Sequence, residues 1–374
     1  MNAKNAVKDL YLSVRRFFLV LCLRPARKEK ALPESIVAVR IDRIGDLVVS
    51  IPALQALRAV FPNARLAVVA QEHALALLGG LEWIDEKIPY RGFRETVRVL
   101  RKKNFSLAID MLMDYTLKTS LLVRFSRARV TAGFDIAGRG SCFSVGVIPG
   151  AERKAMSLHM LDLASAIAGY YNIDTAGMPR NKPCLTVRPE IREAALEFLR
   201  KEGVAEGALI VGIHPGANFP SQRWQPERFA QLADSVISTY RASVVIIGSG
   251  QERSIVNDVA QLMRNRPLLA VGFPLDRLAG VIARMSVLVC NNSGPLHVAA
   301  ALGIPTVSTM GPTDPDLWWP QGGDAIVIRR QLHCSPCSRA YCAGHECMGA
   351  IGVEEMEQAV GLQIRSIKEN NPQI

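Results

Sequence analysis

Aromatic residues make up only 6% of this 374-residue chain, and no four lysines or arginines stand in a row. Both scarcities count against a nucleic-acid partner, which needs rings for base stacking or clustered cations for phosphates. Long apolar runs are missing too. The uninterrupted run Phe17–Leu23 falls far short of the roughly twenty residues that span a bilayer. No small-residue cleavage site follows it, which argues against a secretory signal. A disulfide framework is also absent: Cys22, Cys142, Cys184 and Cys290 lie far apart, as in a protein of the reducing cytoplasm.

What the chain does have is apolar mass and positive charge. Hydrophobic residues form 49% of it, and its length suits two ordinary domains. The formal charge of +11 and pI near 9.4 call for an anionic partner, such as a phosphate-rich ligand or an anionic membrane surface. Residues 1–32 read as a basic amphipathic extension. Leu10, Tyr11, Val14, Phe17, Phe18 and Leu21 recur at helical spacing, among Lys4, Lys8, Arg15, Arg16, Arg24, Arg27 and Lys28. Such a helix can lie on the anionic inner leaflet or pack on a domain surface, and the pattern admits both.

From residue 33 the chain alternates strand and helix. Strand Ile36–Ile41, a helix to about Val60 and strand Leu66–Ala70 make one βαβ unit. Helix Phe93–Lys102, strand Ser106–Asp110 and helices Leu117–Phe125 and Ser157–Ala168 continue a first doubly wound α/β domain, residues 33–180. The proline-rich stretch Met178–Pro189 reads as a linker. A second Rossmann-like domain, residues 190–350, begins with helix Glu190–Glu202 and strand Ala208–Ile213. It continues with helix Pro226–Tyr240, strand Ser243–Ile247 and helix Leu275–Arg284, and residues 351–374 supply a last helix, Val353–Lys368, and a tail. Two such domains facing each other would leave a cleft at the carboxyl ends of their strands, where ligands of open α/β folds bind.

The candidate chemistry follows those strands. Val287–Cys290 leads through Asn291-Asn292-Ser293-Gly294-Pro295-Leu296-His297 into an Ala-rich helix. Asn292 or Ser293 can cap it, Pro295 suits its first turn, and the N–H groups of Ser293 and Gly294 offer an anion seat. Asp46 follows Gly45 at another strand-to-helix junction. It can serve as general base beside a ligand that Gly45 leaves room for, or merely answer the helix dipole. Asp42 competes for that role, and Arg40 and Arg43 favour the ionised form of either. His214-Pro215-Gly216-Ala217-Asn218 has the composition of a phosphate-approach loop. Arg223, next to Gln222, suits a diphosphate, and Trp224 suits helix packing. Glu252, just after Gly248-Ser249-Gly250, can hold ribose hydroxyls or serve as an ordinary first-turn acid. Cys334, Cys337, Cys342 and Cys347 form C-x2-C-x4-C-x4-C, open to structural zinc, to an iron–sulfur cluster, or to plain packed thiols.

In order and spacing, these segments resemble glycosyltransferase family nine, the heptosyltransferases of lipopolysaccharide core assembly. The likeness runs from Ile36 to the last helix. It rests on Arg43-Ile44-Gly45-Asp46 with Ile51-Pro52-Ala53-Leu54, on Gly133-Phe134-Asp135 and His159, and on His214-Pro215-Gly216-Ala217. Arg223-Trp224, Asn291 to His297, Gly311-Pro312-Thr313 and the cysteine cluster complete it. The resemblance implies a fold of two Rossmann-like domains (GT-B type). It also implies inverting, metal-independent transfer of heptose from ADP-heptose to a lipopolysaccharide-core or related anionic glycolipid, with Asp46 as base. Arg223, Ser293 and Gly294 would then hold the diphosphate, and Glu252 and Phe273 the ribose and adenine; Pro215, Gly216, Ala217, Gln222, Asn292 and His297 complete the donor site. The implied location is the cytoplasmic face of the inner membrane, without nucleic acid. Two positions depart from the family pattern, Gln222 where Lys is common and Asn292 where Asp is common. They leave open another nucleotide-sugar donor, a nucleotide-sugar epimerase or hydrolase of the same architecture, or a non-catalytic nucleotide-sugar-binding protein. Loops Met111–Lys118 and Phe134–Ser141, with Arg124, Arg127, Arg129 and Arg139, are the candidate acceptor contacts.

Overall fold

A computed structural model describes residues 11–15, 19 and 29–370. Most of the basic extension 1–32 and the last four residues of the tail lie outside the described residues. The chain divides into two compact units, Met1–Asn181 and Lys182–Ile374.

The first unit opens with β1 (Ser35–Val39), α1 (Ile44–Val60), β2 (Arg65–Ala70), the short α2 (Glu72–Leu75) and β3 (Glu86–Pro89). It continues with α3 (Phe93–Lys103), β4 (Leu107–Asp110), α4 (Leu117–Phe125), β5 (Val130–Phe134), β6 (Val145–Val147) and α5 (Met156–Tyr170). Its six strands run parallel in the order β3-β2-β1-β4-β5-β6. Val37, Val39, Ala67, Val69 and Ala108 are buried in one apolar cluster. A parallel sheet covered on both faces requires such continuous apolar strands.

The second unit repeats the plan. It contains α6 (Pro189–Lys201), β7 (Ile210–His214), α7 (Pro226–Tyr240), β8 (Ser243–Gly248), α8 (Arg253–Leu262), β9 (Leu268–Val271) and α9 (Leu275–Ile282). Then come β10 (Val287–Asn291), α10 (Gly294–Ala301), β11 (Thr306–Met310), α11 (Pro315–Trp318), β12 (Ala325–Arg329), α12 (Glu346–Gly349) and α13 (Val353–Asn370). The strand order is β12-β11-β10-β7-β8-β9, again all parallel. Val287, Leu288 and Val289 of β10 are fully buried. Each contributes about 1.5–3 kcal/mol relative to exposure. Trp224 is fully buried too, with its ring edge-on to Phe229 of α7 at 5.0 Å and its indole N–H donated to the Ile351 carbonyl at 3.0 Å. It is a packing anchor.

In both sheets the strand order reverses beside the first strand of the unit, between β1 and β4 and between β7 and β10. Open α/β sheets bind ligands beyond the carboxyl ends of the strands at such a switch point. Asp42 and Asp46 follow β1, Asp110 ends β4, His214 ends β7, and Asn291 ends β10.

Candidate active site

At the first switch point a buried guanidinium organises the carboxylates. Arg40 donates through Nη2 to Asp46 Oδ1 at 3.0 Å and through Nε to the Asp46 carbonyl at 3.2 Å. Its Nε also lies 3.2 Å from Asp42 Oδ1, and Nη1 reaches the Met111 carbonyl beyond β4. Asp46 stands in the first turn of α1 with 13% of its side chain exposed, against 28% for Asp42. Burial, together with the charges of Asp46 and Asp114, pushes the Asp42 carboxyl up to about 7, against the pull of Arg40. Arg40 therefore does not hold the Asp42 carboxyl low, as charge counting alone suggests, because desolvation outweighs it.

The candidate acceptor loops are stitched together in the same unit. Arg139, fully buried, pairs with Asp110 at the end of β4, donates to Ser120 Oγ at 2.6 Å, and donates to the Asp114 carbonyl. It is a strut between loops 111–118 and 134–141, so it is unavailable to an acceptor phosphate. A buried guanidinium left unpaired is too costly for any other role. Arg129 is likewise engaged, by Glu29 at 3.0 Å and Ser106 Oγ at 2.7 Å. Residues 11–15 are helical, and Arg15 donates to the Tyr115 carbonyl at 2.6 Å and the Ala137 carbonyl at 2.7 Å, one in each loop.

In the second unit, Asn291 is the hub. Fully buried, it uses all four of its hydrogen-bonding positions. Its Nδ2 donates to the carbonyls of Pro215 at 2.8 Å and Gly216 at 3.2 Å, and its Oδ1 accepts from Trp224 N and Thr309 Oγ1, both at 2.9 Å. One side chain thus fixes the loop after β7, the start of the Trp224 segment and the end of β11. The sequence signal was a polar residue closing an apolar strand, but its partners lie 18 to 76 residues away.

Beside it, His214 Nδ1 lies 3.1 Å from Ser293 Oγ, and its Nε2 lies 3.3 Å from Glu252 Oε1. Glu252 also accepts from Ser249 N at 2.9 Å and Ser249 Oγ at 2.8 Å. Burial pushes its carboxyl up, but the hydrogen bond and charge of His214 and the Ser249 amide outweigh it and hold the carboxyl at about 2. Gly216 faces this carboxylate, and a Cβ there would collide with it. Ser293 occupies the N-cap of α10 but does not cap, since its hydroxyl donates to the Asn291 carbonyl at 3.2 Å instead. Among the described residues no side-chain hydrogen bond caps α10, which leaves a helix end suited to an anion.

The remaining donor-site candidates are braced by their own neighbours. Arg223 donates through Nε and Nη2 to the Ala217 carbonyl at 3.2 and 3.1 Å, which ties it to the loop after β7. Gln222 donates to Thr313 Oγ1 at 3.0 Å and accepts from Phe219 N at 3.3 Å. Phe273, just past β9, sets its ring edge-on to Phe198 at 5.1 Å with the Arg277 guanidinium 6.0 Å from it.

A family model for glycosyltransferase family 9 (heptosyltransferase) matches residues 93–347, which is more than half of the chain. The chain belongs to glycosyltransferase family 9. It is 25% identical over 299 residues to lipooligosaccharide heptosyltransferase 2 of Haemophilus influenzae, covering 76% of this chain and 86% of that one. It is 26% identical over 303 residues to lipopolysaccharide heptosyltransferase 2 of Escherichia coli, covering 76% and 85%. In fold it matches a family 9 glycosyltransferase of Veillonella parvula with a TM-score of 0.76 at 21% identity, over 90% of this chain and all of that one. ADP-heptose lipopolysaccharide heptosyltransferase II of E. coli gives 0.75 at 23% identity, over 89% and 99%. Two Rossmann-like domains, the GT-B architecture, are thus the fold of this family 9 enzyme.

Set within the family, the amide at Asn292 has a definite job. Its Nδ2 donates to the Trp318 carbonyl at 3.3 Å, a bond that a carboxylate would turn into repulsion. Trp318 in turn meets the ring of His297, centroids 5.9 Å apart at 61°. Burial brings the His297 imidazole down to about 4, so it is neutral at pH 7. The folded value lies below the ordinary 6.5, so as pH falls the unfolded chain takes up this proton first. The contribution of His297 is complete above pH 6.5 and is lost as pH falls toward 4. Urea unfolding at pH 7 and pH 5 is expected to show a larger stability loss in the wild type than in His297→Gln. Equal losses would show that this histidine does not titrate as described.

The cysteine loop laces the same edge of this family 9 enzyme. Cys337 N and Ser338 N donate to the Pro312 carbonyl at 3.0 and 2.8 Å, and Ser335 Oγ donates to the Gly311 carbonyl at 2.6 Å. Ser221 Oγ donates to the Arg339 carbonyl at 2.5 Å, and His345 Nε2 lies 2.8 Å from the Ser221 carbonyl. Cys347 is buried, Cys337 half-buried, and Cys334 and Cys342 exposed. Burial raises the Cys347 thiol, and the neighbouring Cys337, Cys334 and Cys342 raise it further. Among the described residues, no group of three or more such side chains is arranged to hold a metal ion.

Proposed function

We propose that this enzyme transfers heptose from ADP-heptose to a phosphorylated lipopolysaccharide-core or related glycolipid acceptor, with inversion at the anomeric carbon. The names of its relatives support the donor and acceptor classes. The observation that carries most weight within the chain is the uncapped start of α10 at the switch point of β7 and β10. There the N–H groups of Ser293 and Gly294 and the positive end of the helix dipole take the leaving diphosphate, with Arg223 supplying a further cation. Asp46 receives the proton of the acceptor hydroxyl as that oxygen attacks the anomeric carbon and the bond from that carbon to the ADP oxygen breaks. Glu252 and Phe273 serve ribose and adenine. Pro215, Gly216, Ala217, Gln222, Asn292 and His297 shape the remainder of the donor site.

In this reading every step is performed by the chain's own groups, with no metal or cofactor taking part. For Cys334, Cys337, Cys342 and Cys347 the role proposed is structural, lacing the loops of the donor side. Metal analysis of protein purified without oxygen decides whether the thiols also close on zinc or an iron–sulfur cluster. We place the enzyme on the cytoplasmic face of the inner membrane, where a lipid-linked acceptor is within reach. No described helix is long and apolar enough to cross a bilayer.

The deciding experiment supplies ADP-heptose and heptose-deficient core acceptor and follows the products by mass spectrometry. One added heptose per acceptor with one ADP released is the expected result. Transfer from a UDP-sugar but not from ADP-heptose would overturn the donor assignment. Tight ADP binding without any transfer would make the protein a non-catalytic binder.

A further inference from the structure

The helix α3 carries a large excess of positive charge on its solvent face. Thr96, Val97 and Leu100 are buried, whereas Arg94, Arg98, Arg101 and Lys102 are exposed on the opposite side at helical spacing. The only acid of the helix, Glu95, faces Arg91 at 4.0 Å. Arg94, Arg98 and Lys102 meet no carboxylate among the described residues. Elsewhere the chain mixes signs along a helix: α6 interleaves Glu190, Glu193 and Glu197 with Arg192, Arg200 and Lys201, and pairs Lys201 with Glu197 at 2.7 Å. A solvated helix gains from such pairing, so an unpaired row marks a surface built for an external anion.

An aromatic ring borders the row. Arg101 Nε donates to the Phe125 carbonyl at the end of α4 at 2.7 Å, and the Phe125 ring stands edge-on to Phe93 at 6.3 Å. Phe125 is 39% exposed, and exposed Arg127 follows it. Cations beside an exposed ring suit the headgroup layer of a bilayer, with guanidinium groups on the phosphates and the ring at the edge of the acyl region. The face is one convex helix with a single open ring, which offers neither a groove nor a stacking platform for nucleic acid.

We propose that this face of α3, with Phe125 and Arg127, is the surface on which the enzyme lies against an anionic lipid bilayer. The proposal deepens the assignment of a lipid-linked acceptor and rests on it. It gives the chain a membrane contact within its folded domain, separate from the basic extension before Leu32.

The test uses the full chain and compares wild type with the triple variant Arg94→Gln, Arg98→Gln, Lys102→Gln. These three side chains have no carboxylate partner among the described residues, so the melting temperature should not move. Each cation near an anionic leaflet is worth roughly fivefold in partition, so co-sedimentation with phosphatidylglycerol vesicles should weaken roughly 100-fold. The extension is common to both proteins, so the difference reads α3 alone. Turnover should fall for acceptor embedded in such vesicles and stay unchanged for a delipidated, water-soluble acceptor. Undiminished vesicle binding overturns the proposal, as does equal wild-type binding to phosphatidylcholine vesicles. An equal loss on the soluble acceptor would mean that the row grips the acceptor itself, and tighter binding to duplex DNA than to vesicles would mean a nucleic-acid surface. If neither protein transfers heptose at all, the activity assignment fails while the vesicle comparison still decides the surface.

Discussion

Asp46→Asn is expected to lower kcat by roughly 10²–10⁴-fold, the usual worth of a positioned general base, with little change in donor affinity or melting temperature. The substitution is nearly isosteric, and its remaining carbonyl oxygen can still accept the bond that Arg40 Nη2 now gives Asp46 Oδ1 at 3.0 Å. What would disappear, in the proposed mechanism, is the site for the acceptor's proton. Asp42→Asn is the necessary comparison, because Asp42 shares the same guanidinium. Asp42 lies before the helix rather than in its first turn, and its side chain is the more exposed of the two, 28% against 13%. The Asp42 variant should therefore keep most of its turnover. Single-turnover rates for both variants over pH 5 to 9 distinguish the two. A fully active Asp46→Asn enzyme would remove Asp46 from the chemistry, and a dead Asp42→Asn enzyme beside it would transfer the role.

The second large effect belongs to Asn291→Asp. The change keeps the two acceptor bonds from Trp224 N and Thr309 Oγ1 but removes both donors to the Pro215 and Gly216 carbonyls. Each buried carbonyl left without a partner costs about 1–3 kcal/mol, and a carboxylate facing them in a fully buried site adds repulsion or must take up a proton. At a few degrees per kcal/mol for a domain of this size, the second unit should melt on the order of 10 °C lower. Because the loop from His214 to Ala217 loses its tether, ADP should also cease to raise the melting temperature. Differential scanning calorimetry with and without ADP checks both parts. An Asn291→Asp protein with wild-type melting and wild-type ADP response would show that the loop is held by something else.

Much of the architecture was legible in the residues, for reasons that can be named. Helices Leu117–Phe125 and Pro226–Tyr240 begin and end where reading the sequence places them. In α7 the start is marked by Pro226, which sits where a missing N–H is harmless. The central strands stood out as continuous apolar runs because both of their faces are covered. Strands β5 and β11 did not, because Thr131, Gly133, Thr306, Ser308 and Thr309 dilute the run although every residue of both strands is buried. Edge strand β12 is only half-buried throughout and carries no strong pattern either.

The site divides in the same way. Gly45-Asp46 and the start of α10 are local in sequence, and reading capping chemistry locates them. The coupling of His214 to Glu252 depends on β7 lying beside β8, and the reach of Asn291 to residue 215 depends on β10 lying beside β7. Arg139 shows the opposite failure: a cation in a candidate acceptor loop proved to be a buried strut, because only the fold brings Asp110 beside it.

The contact between Trp318 and His297 also makes the start of α10 visible to light. An indole edge-on to an imidazole is quenched when that imidazole takes up a proton and spared while it stays neutral. Trp318 is tied to Asn292, the residue that precedes the helix cap, so its emission is expected to respond to movement there. If nucleotide seats at the helix start as proposed, its arrival is expected to change this emission in stopped-flow fluorescence, and Trp318→Phe separates that signal from those of Trp83, Trp224 and Trp319.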